Sequence, residues 1–188
     1  MSRKDEKIQK ILEVTAELCI RNGYQGTSMD ELTSKTGFSK ATIYRYFKSK
    51  ECLIAATLGH YSKMHTKALI ALINDTELSL QEKIDQRFEK LRQLVMDKQF
   101  YGCYFQLAYS EFCNKDEDIT SICTQYSHDR VELIAKMLDQ HEVEDAQMRA
   151  TKAELVFSGL IATLPISKDT KLIDIAKEMY LKEIFSAH

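Results

Sequence analysis

Apolar residues recur along this chain at helical spacing, and no run of alternating Val, Ile or Thr predicts a strand. Ile8, Ile11, Leu12, Thr15 and Cys19 share a face of a helix predicted over residues 4–22, and Gly23 stands where that helix should stop. Tyr24 to Thr27 form a short connector. Ser28 then caps a second helix, with Glu31 three residues on to complete a capping box, and Gly37 ends it near Thr36. Ser39 caps a third short helix from Lys40 to about Phe47, and Ser49 a fourth that reaches Asn74.

The rest predicts five more helices, near 79–98, 103–113, 117–140, 145–163 and 169–186. Leu80, Ile84, Phe88, Leu91 and Val95 make one apolar stripe; Ile119, Ile122, Cys123, Tyr126, Val131, Ile134 and Leu138 make another. Pro165, with Ser167 and Asp169, marks the last turn. The expected fold is all-α, about nine helices. A three-helix, helix-turn-helix head comes first (residues 1–50, the motif at about 29–48), and a larger helical body for effector binding and dimerisation follows (51–188). No repeat or low-complexity linker separates them, so the chain passes from head to body within the fourth helix.

Composition supports long helices, with one proline and six glycines in 188 residues. The charged N-terminus lacks the apolar stretch of a signal peptide, and Leu155 to Ser167 falls short of the ~20 residues of a membrane span. A cytoplasmic protein without membrane contact is expected. The net charge of −2 hides an asymmetry: residues 1–50 hold ten Lys/Arg against six Asp/Glu, and the remainder is acidic. Between Leu32 and Lys50 there is no acid, while Lys35, Lys40, Arg45, Lys48 and Lys50 all fall there. A basic patch on an acidic chain suits a nucleic-acid module, although a solvated charged face has the same composition.

Two short helices with a glycine between them meet the requirement of a helix-turn-helix, because glycine takes a positive φ without a Cβ clash. If Ile43 and Phe47 face inward, about 100° per residue turns Lys40, Ala41, Thr42, Tyr44 and Arg45 outward, with Ser39 at the helix start. That arc offers ammonium and guanidinium donors, hydroxyls and a small residue for close approach to base edges. Tyr46 falls near the inward side. Lys50, at the start of the fourth helix, joins its charge to that helix's free amides as a phosphate anchor.

Gly23, Thr27, the run Gly37-Phe38-Ser39 and the run from Thr42 to Glu51 resemble the head of the TetR family of transcriptional regulators. Gly102-Cys103, Leu107-Ala108 and Glu111 are similar to a pattern in one branch of that family. The resemblance implies base-edge or groove contacts from Lys40, Ala41, Thr42 and Tyr44, and phosphate contacts from Thr27, Tyr46 and Lys50. It implies a homodimeric, ligand-responsive repressor on a palindromic double-stranded operator. Thr33 and Thr36 stand where the family commonly has alanine, so slightly different packing between the second and third helices is expected; Ala41 replaces a frequent glycine and Arg45 a variable residue, which leaves the operator sequence open.

In the body, Phe100 to Gln106 reads either as a core segment or as the wall of an effector pocket. The pocket reading groups Tyr101, Cys103, Tyr104 and Phe105 with Phe88, Tyr126 and Phe157. No arginine falls between Arg92 and Arg130, so a flat, hydrophobic, neutral or weakly cationic effector is expected. A rival sensor is the Cys103 thiol, reacting with oxidants or electrophiles. Cys103, Cys113 and Cys123 lie ten apart, which fits neither a zinc knuckle nor a redox CxxC pair. No cofactor, metal or enzyme activity is expected. Leu155, Val156, Leu160, Leu164, Ile175, Met179 and Phe185 suggest that the last two helices form the dimer interface. The competing class is a helical protein-interaction module, or a metal- or redox-sensing protein, whose basic head only solubilises it.

Overall fold

A computed structural model of the protein describes residues 2–186. The described residues form nine α-helices and no strand: α1 (Arg3–Asn22), α2 (Met29–Thr36), α3 (Lys40–Tyr46), α4 (Lys50–Ile73), α5 (Leu80–Met96), α6 (Tyr104–Phe112), α7 (Glu117–Gln140), α8 (Ala146–Ser167) and α9 (Lys171–Phe185). The all-α expectation holds, and most boundaries fall within two residues of those predicted. Serines set the starts of α2, α3 and α5. Ser28 and Ser79 close reciprocal capping boxes with Glu31 and Glu82, while Ser39 accepts from the Thr42 amide. Gly37 closes α2 in the left-handed region (φ 74°), its amide donating to the Thr33 carbonyl.

Pro165 corrects the expected end of the eighth helix. It lies inside α8, which continues to Ser167, and the reversal is made by Lys168 at φ 55°. A proline forfeits one bond to the carbonyl four residues back, which is tolerable in a final turn. The Lys168 amide then donates to the Leu164 carbonyl and closes the helix.

The chain divides into two compact units. The first runs to Met64 and resumes over Cys103–Tyr126; the second comprises His65–Gly102 and the residues from Ser127 onward. α4 and α7 thus supply residues to both.

The first unit has two apolar clusters. Ile11, Leu12, Leu18, Leu32, Ile43 and Leu53 bind α1 to α4 together, with Phe38 and Phe47 packed against them. Cys19, Tyr24, Ile54, Leu58, Phe105, Ala108, Phe112, Ile119 and Cys123 join α6 and the start of α7 to the same helices. The second unit is built on the α8–α9 pair, with α5 packed on α9. Its centre holds Phe88, Phe157 and Tyr180, whose rings meet edge to face.

Candidate nucleic-acid interface

Leu32 and Ile43 anchor α2 and α3 to each other and are essentially inaccessible. With that face inward, Lys40, Ala41, Tyr44 and Arg45 are exposed on α3, and Thr42 and Tyr46 are half-buried. Tyr44 is 42% exposed, so its ring and hydroxyl are open to solvent on the outer face of α3. Ser39 Oγ accepts from the Thr42 amide at 3.2 Å and sits 3.0 Å from Thr42 Oγ1, so the cap also holds the Thr42 hydroxyl. Lys40 Nζ is 2.8 Å from an Asp30 oxygen, and this bond raises its pKa. The Arg45 guanidinium lies 5.3 Å from the Tyr46 ring centre.

Lys50 begins α4, and its ammonium donates to the Gln25 carbonyl at 3.2 Å. It therefore reaches back over the α1–α2 connector. Thr27 differs from the others. It is fully buried, and its hydroxyl donates to the Gly23 carbonyl at 2.8 Å, so this side chain locks the connector from within.

One residue without an assigned role in the sequence reading organises the same connector. Glu111, near the end of α6, accepts from the Tyr24 amide at 2.9 Å through Oε1 and from the Gln25 amide at 2.7 Å through Oε2. The Gln25 side-chain amide returns a bond to the Glu111 carbonyl at 3.0 Å, and the Tyr24 hydroxyl donates to the Tyr104 carbonyl at 3.1 Å. Gly23 makes this possible. It adopts φ +81°, and an added Cβ would lie 3.0 Å from Glu111 Oε1. α6 therefore holds the backbone that leads into α2. A partner 87 positions away leaves no local signal, so only the similarity around Glu111 could have drawn attention to it.

The residues grouped as an effector pocket fall into both units. In the first, Phe105 stacks on Tyr126 with centroids 3.6 Å apart, Tyr104 lies against Tyr61, and half-buried Cys103 precedes α6 without a side-chain cap. Burial pushes the thiols of Cys19 and Cys123 up to about 11 and about 12, as expected of small apolar fillers. In the second unit Phe88 is buried, Tyr101 is exposed, and Phe157 carries the Arg87 guanidinium 3.9 Å from its ring centre.

Around Phe157 lies an ionic cluster that sequence reasoning missed. The buried Glu154 carboxylate takes bonds from both Arg87 and Arg130, and Tyr180 Oη donates to it at 3.2 Å. Burial alone would raise the Glu154 pKa, but the two guanidiniums outweigh it and hold it at about 2. Its trace in the sequence is an acid within the otherwise apolar run Ala150, Ala153, Glu154, Phe157, Leu160 and Ile161. Among the described residues no group of His, Cys, Asp and Glu is placed to hold a metal, and no helix is long and apolar enough to cross a membrane.

Residues 11–57 match the family described as bacterial regulatory proteins, tetR family. An uncharacterized HTH-type transcriptional regulator in the lacX 3′ region of Lactococcus lactis subsp. lactis is 30% identical over 134 residues, 69% of this chain and 67% of that relative. The HTH-type transcriptional repressor NemR of Escherichia coli K12 is 26% identical over 133 residues, 70% of this chain and 66% of NemR. The crystal structure of the reduced form of E. coli NemR superposes with a TM-score of 0.84 at 18% identity, over 93% of this chain and 95% of that one. A TetR transcriptional regulator from Legionella pneumophila gives 0.85 at 20% identity, covering 98% of each chain. With its head matched by the family and its nine-helix fold shared along nearly the whole length, the chain belongs to the tetR family of bacterial regulatory proteins.

Proposed function

We propose that this chain is a cytoplasmic, DNA-binding transcriptional repressor that grips a palindromic operator as a homodimer and lets go when its body binds a small hydrophobic molecule. The observation that carries the reading is the α3 arc. Lys40, Ala41, Tyr44 and Arg45 are exposed along a stretch without a single acid, and Lys50 flanks it from the start of α4. Lys40, Thr42 and Tyr44 read bases; Arg45, Tyr46 and Lys50 hold phosphates. Thr27 serves by fixing the connector, not by touching DNA.

The functional head remains residues 1–50, with the rest as effector and dimer body. Glu111 supplies the link between them, because α6 belongs to the body in sequence yet holds the Tyr24 and Gln25 amides. A molecule that shifts α6 would disturb the entry to α2, and release follows as a population shift.

The dimer face is the outer side of α8 and α9. Met148, Leu155 and Ile166 share one exposed face of α8, and Ile175, Met179 and Phe185 are exposed on α9. Leu160 and Leu164 are buried within the chain and drop out of that face. Such apolar exposure favours association. Leu155→Glu should give a monomer in sedimentation with its head still folded; an unchanged dimer excludes this face.

The decisive experiment is a salt titration of operator binding. Lys50→Ala should weaken binding to every sequence and reduce the log–log salt slope by about 0.9 for one phosphate lost. Lys40→Ala or Thr42→Ala should change the preferred sequence instead. An unaltered affinity and slope in Lys50→Ala refutes the anchor.

A thiol-based sensor is the second reading. Half-buried Cys103 immediately precedes Tyr104, whose carbonyl receives the Tyr24 hydroxyl, so chemistry at Cys103 would act at the start of α6. Cys103→Ser should abolish DNA release by peroxide and spare release by apolar ligands.

A further inference from the structure

A cavity of about 350 Å³ opens in the second unit where α4 and α7 both end and α5 begins. It is separate from the residues proposed above for the effector. Ile73 and Leu78 form apolar wall, while Asn74, Gln140, His141 and Lys83 bring polar groups to it. Lys83 is the anomaly, only 4% exposed. Its ammonium donates to the Ile73 carbonyl at 2.8 Å and lies 3.3 Å from His141 Nε2. Both partners are neutral groups, and no Asp or Glu among the described residues forms an ion pair with it.

Buried charges in proteins are paired, since desolvating an ion costs several kcal/mol unless an opposite charge is near. Here the C-terminal ends of α4 and α7 contribute partial negative charge, at most about half an elementary charge each. Those dipoles favour the ammonium but leave its third N–H for another acceptor. The histidine adds a second donor. Burial and the neighbouring Lys83 lower the His141 pKa, which favours the neutral ring. Accepting at Nε2, it carries its proton on Nδ1.

We infer that this cavity is a binding site for a small organic carboxylate, its anionic end on Lys83 and its apolar part against Ile73 and Leu78. The ammonium gives the charge-assisted bond, the amides of Asn74 and Gln140 satisfy the remaining oxygen lone pairs, and Ile73 and Leu78 cover one side of the tail. Occupancy ties the end of α4, the first turn of α5 and the end of α7 to one ligand. The inference does not rest on the DNA-binding reading and is tested without DNA.

The probes are benzoate and its uncharged isostere benzamide, added to the full chain. Benzoate should shift the His141 ring signal in ¹H–¹³C NMR saturably and raise Tm with concentration; benzamide should do neither. Lys83→Met should eliminate both responses, and His141→Asn should weaken them. A His141 signal that ignores benzoate, or moves equally with benzamide, overturns the proposal in the wild-type protein alone, whether or not the variants fold. Benzoate binding that survives Lys83→Met overturns it as well.

Discussion

The two compact units place polar groups in their interiors by opposite means. In the first, the fully buried polar side chains are threonines: Thr15, Thr27, Thr36 and Thr57. Each hydroxyl donates to a carbonyl four residues earlier, so its bond is local and involves no charge. In the second, the buried polar residues are Lys83, Arg149 and Glu154. Glu154 gathers Arg87 and Arg130 from two other helices, and Arg149 donates to the carbonyls of Glu144, Glu183, Ile184 and Ser186, closing the end of α9. Local hydroxyl bonds fix a helix but not its neighbours, which leaves helix packing to apolar contact. Buried ions fix neighbours, since moving one helix strands a charge. The unit bearing α3, the helix proposed to face DNA, is therefore held by contacts that tolerate small shifts, and the unit bearing α8 and α9 by contacts that do not.

The largest effect should come from breaking the ionic lock. Glu154→Gln keeps the shape of the side chain but leaves two half-buried guanidiniums without their shared buried counter-charge. About 3–5 kcal/mol of stability should be lost, measured by urea unfolding. The pH dependence has a fixed sign. Because the folded Glu154 pKa is depressed to about 2, its contribution is complete above the ordinary glutamate value of 4.5 and disappears as pH falls from there toward 2. The Gln variant should lack that acid-side loss. A cost under about 1 kcal/mol would mean the ions do not hold the unit, and the contrast between the units would collapse.

The difference between the units also explains what could be read in advance. All nine helices were legible because serine caps, Gly23, Gly37 and apolar spacing act within a turn or two of where they stand. The outward turn of Tyr44 was legible for the same reason, as angular arithmetic along one helix. Pro165 misled because proline near a helix end has two local outcomes, and packing decided between them. Partners of Glu154 lie 67 and 24 positions away, and those of Glu111 lie 87 and 86 away. Such pairs depend on tertiary arrangement, for which one chain carries no period. Thr27 was assigned a phosphate contact by resemblance, and only the fold shows its hydroxyl turned inward to the Gly23 carbonyl. Similarly, Leu160 and Leu164 share the apolar character of Leu155, and nothing in their spacing tells inner face from outer.

Glu111 is where the first unit departs from its own rule, which makes it the sharper test. Its carboxylate is a charged, long-range clamp, but at a partly exposed site. Glu111→Gln keeps one acceptor and loses the charge, so global stability should fall by only about 1 kcal/mol, after allowance for solvent. The local effect should be larger. Hydrogen exchange at the Tyr24 and Gln25 amides should accelerate well beyond the global change, and DNA affinity should drop with it. Exchange that rises uniformly across the chain would show that Glu111 supports the whole fold and not the connector, and the proposed route from α6 to the head would go with it.

The smallest effect tests the threonines themselves. Thr57→Val is nearly isosteric and removes a hydroxyl that donates to the Leu53 carbonyl at 2.8 Å inside α4. That carbonyl lies in the first turn of α4, where the backbone amide four residues on serves it, so no acceptor is stranded and the loss should stay within about 1 kcal/mol. Thr36 gives the internal calibration. Its hydroxyl donates to the Leu32 carbonyl and also accepts from the Phe38 amide at 3.2 Å, just past the Gly37 turn. Thr36→Val strands that amide, so it should cost about 1 kcal/mol more than Thr57→Val in the same urea titration. If the order reverses, the hydroxyl of Thr57 is holding α4 to its neighbours after all. The first unit would then share the packing logic of the second, and the tolerance for small shifts that the proposed operator release requires would have to come from elsewhere.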